Sequence, residues 1–313
     1  MLSHRFGKIS RSPLCRYHFD RQTKLNTRMT LSRRTFLKAM GATAVALSVG
    51  KEATAQTSGE EKPEFMAILY DSTKCVGCLG CEYDCAEAHG NPDYEIPIDP
   101  PMRKTDDKQR TVVNHYETSK GRLPRKMQCM HCNQPACDAA CLTQAMHKCP
   151  EGPVIWREDK CMGCRYCMIS CPFDIPKFEY GSTNPQIVKC DMCIERIREG
   201  ETPACAYNCP EEALVYGKRS DLIREARRRV VEEPDRYYDH IYGEHEAGGT
   251  SWLYLSPVPF NELGFNLNIQ KSSYPALTKG FISSIAPVDI LLPAVLLGIY
   301  EATKSYNTKE EDQ

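Results

Sequence analysis

Short apolar runs separated by polar segments dominate the hydrophobic pattern of the central part of the chain. They predict strands at residues 65–70, 154–156, 187–188 and 213–216. Residues 221–233, DLIREARRRVVEE, predict a charged helix that Pro234 ends. Residues 86–122 are polar and rich in proline, which predicts an insertion loop. Short elements of both kinds in one chain favour an α+β fold.

One long apolar stretch lies near the C-terminus. Residues 281–300, FISSIAPVDILLPAVLLGIY, are mostly apolar, are long enough to span a bilayer and precede a charged tail at 301–313. We predict a single transmembrane helix, in which Asp289 faces a partner subunit. Pro287, Asp289 and Pro293 leave two alternatives, a buried helix and an anchor that lies on a partner. The preceding segment, 236–280, is rich in aromatic residues, Gly and Pro and predicts an extended arm that contacts a partner.

The N-terminal region has an export pattern. Residues 32–38, SRRTFLK, are a twin-arginine signature, and an Ala- and Gly-rich stretch and the small residues Ala53-Thr54-Ala55 follow it. We predict a twin-arginine signal peptide at 29–55 and a basic leader at 1–28, which a mis-assigned start would explain. An amphipathic helix with an arginine pair is the alternative. This route exports folded proteins to the periplasm, which suits a protein that receives its cofactors in the cytoplasm.

Composition adds one decisive feature, the number of cysteines. A net charge of −1 with 26% charged residues gives no reason to expect a nucleic-acid partner. Eighteen cysteines in 313 residues indicate disulfides, structural zinc or iron–sulfur clusters. Cys15 lies in the leader and Cys149 stands alone, whereas the other cysteines form four runs. The runs are CVGCLGCEYDC at 75–85, CMHCNQPACDAAC at 129–141, CMGCRYCMISC at 161–171, and CDMC with CAYNC at 190–209.

The four runs form an ordered repeat. The first and third share C-x-G-C-x-x-C-x-x-x-C, and the second and fourth share P-A-C-x-x-x-C-x-x-x-A. Thiols crowded in C-x-x-C make poor disulfides, and zinc prefers two separate C-x-x-C pairs. A [4Fe–4S] cluster takes three thiolates from one tight loop and a fourth from a distance, and Gly77 and Gly163 suit loops with positive φ. The sequence therefore predicts a duplicated bacterial-ferredoxin-like body at 56–235 with four [4Fe–4S] clusters.

The ligand sets follow from the rule that the fourth cysteine of a ferredoxin run binds the other cluster. The runs at 129–141 and 161–171 are close in sequence and are predicted to exchange fourth cysteines, which leaves 75–85 to pair with 190–209. Four groups of predicted ligands result. Group 1 is Cys75, Cys78, Cys81 and Cys209; group 2 is Cys190, Cys193, Cys205 and Cys85; group 3 is Cys129, Cys132, Cys137 and Cys171; group 4 is Cys161, Cys164, Cys167 and Cys141.

Other residues add little chemistry. His131 can tune a cluster by hydrogen bonding or fill space, and we expect it to fill space because the cysteines already complete four sites. We expect Cys149 to be a small buried residue. The sequence has no Ser–His–Asp set, Walker loop or dinucleotide fingerprint, so no catalytic residues are predicted and electron transfer is the expected function. A zinc- or disulfide-stabilised secreted binding protein is the alternative from another class.

The chain resembles the electron-transfer subunits of membrane-bound respiratory oxidoreductases that carry four [4Fe–4S] clusters. It is most similar to the periplasmic iron–sulfur subunit of hydrogenase-2-type [NiFe] hydrogenases, through LYDSTKCVGC at 69–78, CMGCRYCMISCPFDIPKFEY at 161–180 and HIYGEHEAGGT at 240–250. The beta subunit of respiratory formate dehydrogenase is similar too, but it is usually exported with its partner's signal.

The resemblance implies the same exchange of fourth cysteines and a place at the periplasmic side of the cytoplasmic membrane. It also implies two partners, a catalytic subunit with a [NiFe] or molybdopterin centre and an integral membrane subunit that reacts with quinone. Other complexes, which act on polysulfide or nitrite or contain multihaem cytochromes, are the alternatives within the class.

Overall fold

The computed structural model describes residues 64–91, 95 and 101–310, with side chains described up to residue 300. The predicted leader at 1–28, the predicted signal peptide at 29–55 and Cys15 lie outside these residues.

The described chain alternates short strands and short helices, in agreement with the predicted α+β class. The strands are β1 Met66–Asp71, β2 Val112–Thr118, β3 Gly121–Met127, β4 Met146–Lys148, β5 Val154–Trp156, β6 Lys177–Phe178, β7 Ile187–Val188, β8 Leu214–Lys218 and β9 Trp252–Leu255. The helices are α1 Gly80–Ala88, α2 Ala136–Ala139, α3 Tyr166–Ser170, α4 Ile194–Arg198, α5 Ala204–Tyr207, α6 Arg219–Glu232 and α7 Tyr274–Glu310. Two 3₁₀ turns, Glu158–Lys160 and Glu246–Gly248, complete the description.

The largest sheet has three strands in the order β8-β1-β9. β1 pairs antiparallel with β8 and parallel with β9, and Ala67, Ile68 and Leu69 are fully buried. A strand covered on both faces is continuously apolar, as MAILYD is at β1. One face packs on the apolar side of α6, which includes Leu222 and Ala226. The predicted strand at 65–70 and the predicted helix at 221–233 are therefore present as β1 and α6.

Two strand pairings connect the cysteine runs. β1 precedes the first run and β8 follows the fourth, so their pairing brings these distant runs together. β4 follows the second run and β5 precedes the third, and Met146 pairs with Trp156 in this hairpin. The body therefore consists of two halves of similar design, each closed by a short antiparallel pair.

The segment at 86–122, which the sequence predicts to be an insertion loop, contains a regular element. β2 and the beginning of β3 fall within it, and the two strands form an antiparallel hairpin whose register runs from Val112 with Met127 to Thr118 with Gly121. β3, GRLPRKM, contains a proline and three basic residues, so its sequence does not have the composition of a strand. Its pairing with β2 and its packing against the core determine its conformation.

The segment at 236–280 differs from the extended arm that the sequence predicts. β9 lies in the central sheet, and the rings of Tyr242, Phe260 and Phe265 pack in the core of the chain itself. The Tyr242 and Phe265 ring centroids are 4.4 Å apart. Burial of large aromatic side chains is strongly favourable, and an exposed arm would leave them in water. The segment therefore folds back onto the body.

The last helix, α7, is long and exposed. Within the described residues it is the one helix whose length and composition suit a membrane crossing, over the 27 residues Tyr274–Tyr300, and an 18-residue window of this stretch has a mean hydropathy of 2.0. The predicted span at 281–300 lies inside this stretch. Pro287 and Pro293 lie within the continuous helix. A helix of this length rises about 40 Å, more than the thickness of the hydrocarbon core.

Candidate iron–sulfur sites

The first and third cysteine runs have the same loop conformation. Gly77 and Gly163 have φ of 68° and 72°, and Leu79 and Arg165, two residues later, have φ of 62° and 61°. The positive φ expected at both glycines is therefore confirmed. At Gly77 a Cβ would lie 2.2 Å from His115 Nε2, so no other residue fits there without displacement of that ring. Each loop then leads directly into a helix, α1 or α3.

The second and fourth runs are also alike in structure. Pro135 and Pro203 precede α2 and α5, and each of these short helices contains the third cysteine of its run, Cys137 or Cys205. The residue three positions after the fourth cysteine has a positive φ in both runs. The repeat found in the sequence is therefore a repeat of backbone conformation.

Packing between these helices brings the runs together in the predicted pairs. α1, which contains Cys81 and Cys85, packs against α5, which contains Cys205. α2, which contains Cys137, packs against α3, which contains Cys167. The first run is thus next to the fourth, and the second is next to the third.

Two of the predicted ligand groups each surround a cavity. All four cysteines of group 1 line one cavity, together with apolar side chains that include Tyr70 and Leu214. All four cysteines of group 4 line another, together with Trp156 and Ile187. Each cavity therefore offers four sulfur donors and an apolar wall, and three of the four donors come from one loop.

The thiols of group 2 are mutual neighbours in the interior. Burial, with contributions from Cys205 and Cys193, raises the pKa of Cys85 to about 12. Burial and the nearby Cys85 and Cys205 also raise the pKa of Cys190. The four residues predicted for group 2 therefore influence one another, although they come from two runs more than 100 residues apart in the chain.

Group 3 shows the same behaviour. Burial, with contributions from Cys129, Cys171 and Cys137, raises the pKa of Cys132. Burial raises the pKa of Cys171 itself to about 11, and Cys129 contributes to this shift. Cys171 comes from the third run and the other three thiols from the second, as the predicted exchange requires.

The raised pKa values mean that these cysteines stay protonated unless a bound cation stabilises their thiolate form. Four adjacent thiolates in an apolar site repel one another and lose hydration, so deprotonation requires a bound cation. All-sulfur donor sets suit iron–sulfur clusters, and three sulfurs from one loop with a fourth from elsewhere match a [4Fe–4S] cubane. At Cys141, burial would raise the pKa, but N–H donors lower it, and the Met146 N–H is 3.4 Å from the sulfur. The residues therefore fit [4Fe–4S] clusters.

Lys126 is a buried lysine near the ligand groups that the sequence does not reveal. Lys126 on β3 is 1% exposed, and its Nζ donates to Thr111 Oγ1 and lies 5.4 Å from the centre of the Trp252 ring. Burial would lower the pKa of Lys126, but the nearby cysteines, Cys81 first among them, outweigh burial and raise it. Lys126 therefore places a positive charge between groups 1 and 2, where anionic clusters would otherwise repel each other.

Lys189 has a similar place beside group 2. It is 3% exposed, and its Nζ donates to the carbonyl oxygens of Cys190, at 2.9 Å, and of Val154. Lys189 also lowers the pKa of Cys137 in group 3, against the larger effect of burial. A second buried cation therefore lies where groups 2 and 3 meet.

Three polar residues hold the loop of group 2. His89 Nδ1–H donates to the carbonyl of Cys85 at 2.7 Å, and its Nε2 is 2.9 Å from the carboxylate of Asp191. Arg110 pairs with the same carboxylate at 3.0 Å. Burial would raise the pKa of Asp191, but His89 and Arg110 lower it well below its usual range. This ion-paired carboxylate also accepts a hydrogen bond from the backbone N–H of Cys193, which holds the backbone of this predicted ligand in place.

Cys149 and His131, which lie outside the predicted ligand groups, have different surroundings. Cys149 is 1% exposed, in keeping with a small buried residue. His131 is fully buried too, and its Nε2 is 3.5 Å from Cys190 Sγ. The two residues are 59 positions apart, so the sequence does not indicate which cysteine the ring contacts.

Comparisons with known proteins agree with this site. Residues 123–219 match the family model described as a 4Fe-4S dicluster domain. The chain is 40% identical over 286 residues to a protein of Nitratidesulfovibrio vulgaris, covering 88% of this chain and 77% of the relative. It is 32% identical over 275 residues to the hydrogenase-2 operon protein HybA of Escherichia coli O157:H7, covering 74% of this chain and 83% of HybA. It is 32% identical over 205 residues to the iron–sulfur subunit of the nitrate-inducible formate dehydrogenase of Escherichia coli K12, covering 61% of this chain and 67% of that subunit.

Proposed function

Because the chain belongs to the family of ferredoxin-type iron–sulfur subunits that includes HybA and the formate dehydrogenase iron–sulfur subunits, we propose that it connects a [NiFe] hydrogenase subunit to a quinone-reactive membrane subunit. Its general function, electron transfer through multiple [4Fe–4S] clusters within an oxidoreductase complex, is that of the family. The hydrogenase partner, the number of clusters, their ligands and the cellular location are the proposed parts.

The extent of similarity supports the hydrogenase partner. The match to the hydrogenase-2 operon protein covers 74% of this chain, whereas the match to the formate dehydrogenase subunit covers 61%. The likeness to the hydrogenase-type protein therefore covers more of the chain. The twin-arginine pattern at 32–38 favours the same partner, because formate dehydrogenase beta subunits are usually exported with their partner's signal.

The sixteen cysteines of groups 1 to 4 would hold four [4Fe–4S] clusters. Such a cluster supplies one-electron redox chemistry when it is bound. The chain itself provides the thiolates, the apolar walls that exclude water, and the buried cations Lys126 and Lys189 between the groups. These features set spacing and reduction potential rather than making or breaking bonds.

The neighbours of the thiols support a linear order of the four groups. Beside burial, Cys205 of group 2 raises the pKa of Cys81 in group 1, Cys129 of group 3 raises that of Cys190 in group 2, and Cys167 of group 4 raises that of Cys137 in group 3. The exposed cysteines lie at the two ends, Cys78 in group 1 and Cys164 in group 4. Electrons would therefore enter and leave the body at opposite ends.

The position of α7 supports group 4 as the end nearest the membrane. α7 contacts α2, and Lys279 and Ile282 of α7 line a cavity with Pro135 and Asp138 at that helix. α2 also packs against α3, which leads from the loop of group 4. Around this loop the apolar side chains of Leu142, Met162 and Ile169 are 89%, 64% and 80% exposed. An exposed apolar surface of this kind suits a permanent subunit interface.

The two ends of the chain support the proposed location. The twin-arginine pattern would export the folded, cluster-loaded protein, and α7 would then anchor it with the body in the periplasm. The catalytic subunit would bind at the group 1 end, away from the membrane.

Purification of the complex tests the proposed partner. An affinity-tagged chain isolated from detergent-solubilised membranes of its own host is expected to bring down a nickel-containing subunit and an integral membrane subunit. The complex is expected to reduce a soluble quinone with hydrogen and not with formate. A complex that contains a molybdopterin subunit and uses formate would instead assign the chain to the formate dehydrogenase type.

A further inference from the structure

The ring of His131 connects two ligand groups. His131 lies between Cys129 and Cys132 of group 3, but its Nε2 atom points to the sulfur of Cys190 in group 2, at 3.5 Å. The side chain is 0% exposed, so no water competes for this contact.

The hydrogen bonds of the ring decide which nitrogen carries the proton. Nδ1 accepts the backbone N–H of Val154 at 2.8 Å, so Nδ1 has no hydrogen of its own. A neutral ring then carries its proton on Nε2, where the neighbouring acceptor is Cys190 Sγ. The contact is therefore an N–H···S hydrogen bond with the histidine as donor.

The backbone of His131 is fixed as firmly as the ring. Its φ is 48°, a conformation that only a defined loop maintains in a residue with a side chain. Its carbonyl oxygen accepts the N–H of Ser251 and the Nζ of Lys148, both at 3.2 Å. Val154 on β5, Ser251 beside β9 and Lys148 on β4 thus hold His131 from three directions, which is more than a space-filling residue requires.

Cys190 receives a second donor from its own loop. The Met192 N–H is 3.3 Å from Cys190 Sγ, so this sulfur has two hydrogen bonds. Hydrogen bonds to a ligand sulfur withdraw electron density and stabilise the reduced, more negative state of the cluster. A removed donor therefore lowers the reduction potential of the cluster that the sulfur binds.

We infer that His131 is a positioning residue of group 2, whose Nε2–H donates to Cys190 and raises the reduction potential of the [4Fe–4S] cluster held there. The inference rests on the proposed cluster function. It gives a residue of the group 3 loop direct control over the neighbouring cluster, so electron transfer between the two middle groups depends on it.

The test is a potentiometric titration of the purified full chain, followed by electron paramagnetic resonance. His131→Leu, which keeps much of the volume but has no donor, is expected to lower the reduction equilibrium constant of one cluster about tenfold, which corresponds to ~59 mV for one electron. His131→Gln, whose side-chain N–H can reach the same sulfur, is expected to restore most of the shift. His147→Leu on β4 is the matched control and should leave all potentials unchanged.

A second measurement compares nitrogen couplings. In the wild-type chain labelled with ¹⁵N-histidine, pulsed electron paramagnetic resonance is expected to detect a nitrogen coupled to one reduced cluster that is missing in His131→Leu, whereas any coupling of His89, whose Nδ1 is 3.7 Å from Cys85 Sγ, is present in both chains. The absence of this coupling, or equal potentials in His131→Leu and the wild type at equal iron content, would overturn the role of His131. A wild-type chain without iron would instead refute the cluster function itself, so the two failures are distinguishable.

Discussion

Replacement of Cys205 by alanine is expected to abolish electron flow to quinone, whereas replacement of Cys149 by alanine is expected to leave it unchanged. Cys205 is 8% exposed and belongs to group 2, which lies between groups 1 and 3 in the linear order. Loss of this thiolate leaves the group 2 cluster with three of its four cysteine ligands. Without that cluster the path from group 1 to group 3 is interrupted. Cys149 is the matched control, because it is also buried but lies outside the four groups.

The measurements for this pair are cluster content and turnover. Spectroscopy of the Cys205→Ala chain is expected to show one [4Fe–4S] signal fewer than the wild type, and the complex should still react with hydrogen through an artificial acceptor at its catalytic subunit. Unimpaired quinone reduction by the Cys205→Ala complex would contradict the linear order. Loss of a cluster in Cys149→Ala would contradict the ligand groups.

Removal of the C-terminal helix is expected to transfer the protein from the membrane to the periplasm. A chain that ends after Lys279 retains the hydrogen bond between Ser273 and Gln134 but lacks most of the apolar stretch Tyr274–Tyr300. An apolar helix of this length contributes a large membrane affinity, and without it the charged body has no anchor. The described side chains of this helix beyond Lys279 are mostly exposed, so its removal leaves the core intact.

The assay is fractionation of cells that make the chain without its partner subunits, so that no other protein retains it. The shortened chain should appear in the osmotic-shock fluid with its clusters, and a chain that ends after Lys304 should remain in the membrane. A shortened chain found in the membrane would contradict the anchor. A shortened chain found in the cytoplasm would contradict export by the twin-arginine pattern.

Much of the site can be predicted from the sequence because its chemistry is local. Three cysteines of each group come from one run, and the spacing C-x-x-C-x-x-C with Gly77 or Gly163 is enough to predict the loop conformation that the structure has. The strands at 154–156 and 187–188 are predicted to the residue, since each is a short run of β-branched or aromatic residues bounded by polar and turn-forming positions.

The parts that the sequence does not predict depend on contacts between distant segments. β3 has the composition of a polar loop, and only its position under Trp252 explains why Lys126 is buried. The aromatic residues after 236 would suit a partner interface as well as a core, and the parallel pairing of β9 with β1 cannot be inferred from periodicity. His131 lies 59 positions from the sulfur that it contacts, and no local pattern encodes that hydrogen bond.

The metal content of the full chain, purified without oxygen, tests the central claim most directly. Four complete groups of thiolates predict about sixteen iron ions and as much acid-labile sulfide per chain, with a brown colour that dithionite bleaches. A colourless chain with zinc, or with its cysteines in disulfides, would contradict the assignment of groups 1 to 4 as [4Fe–4S] sites.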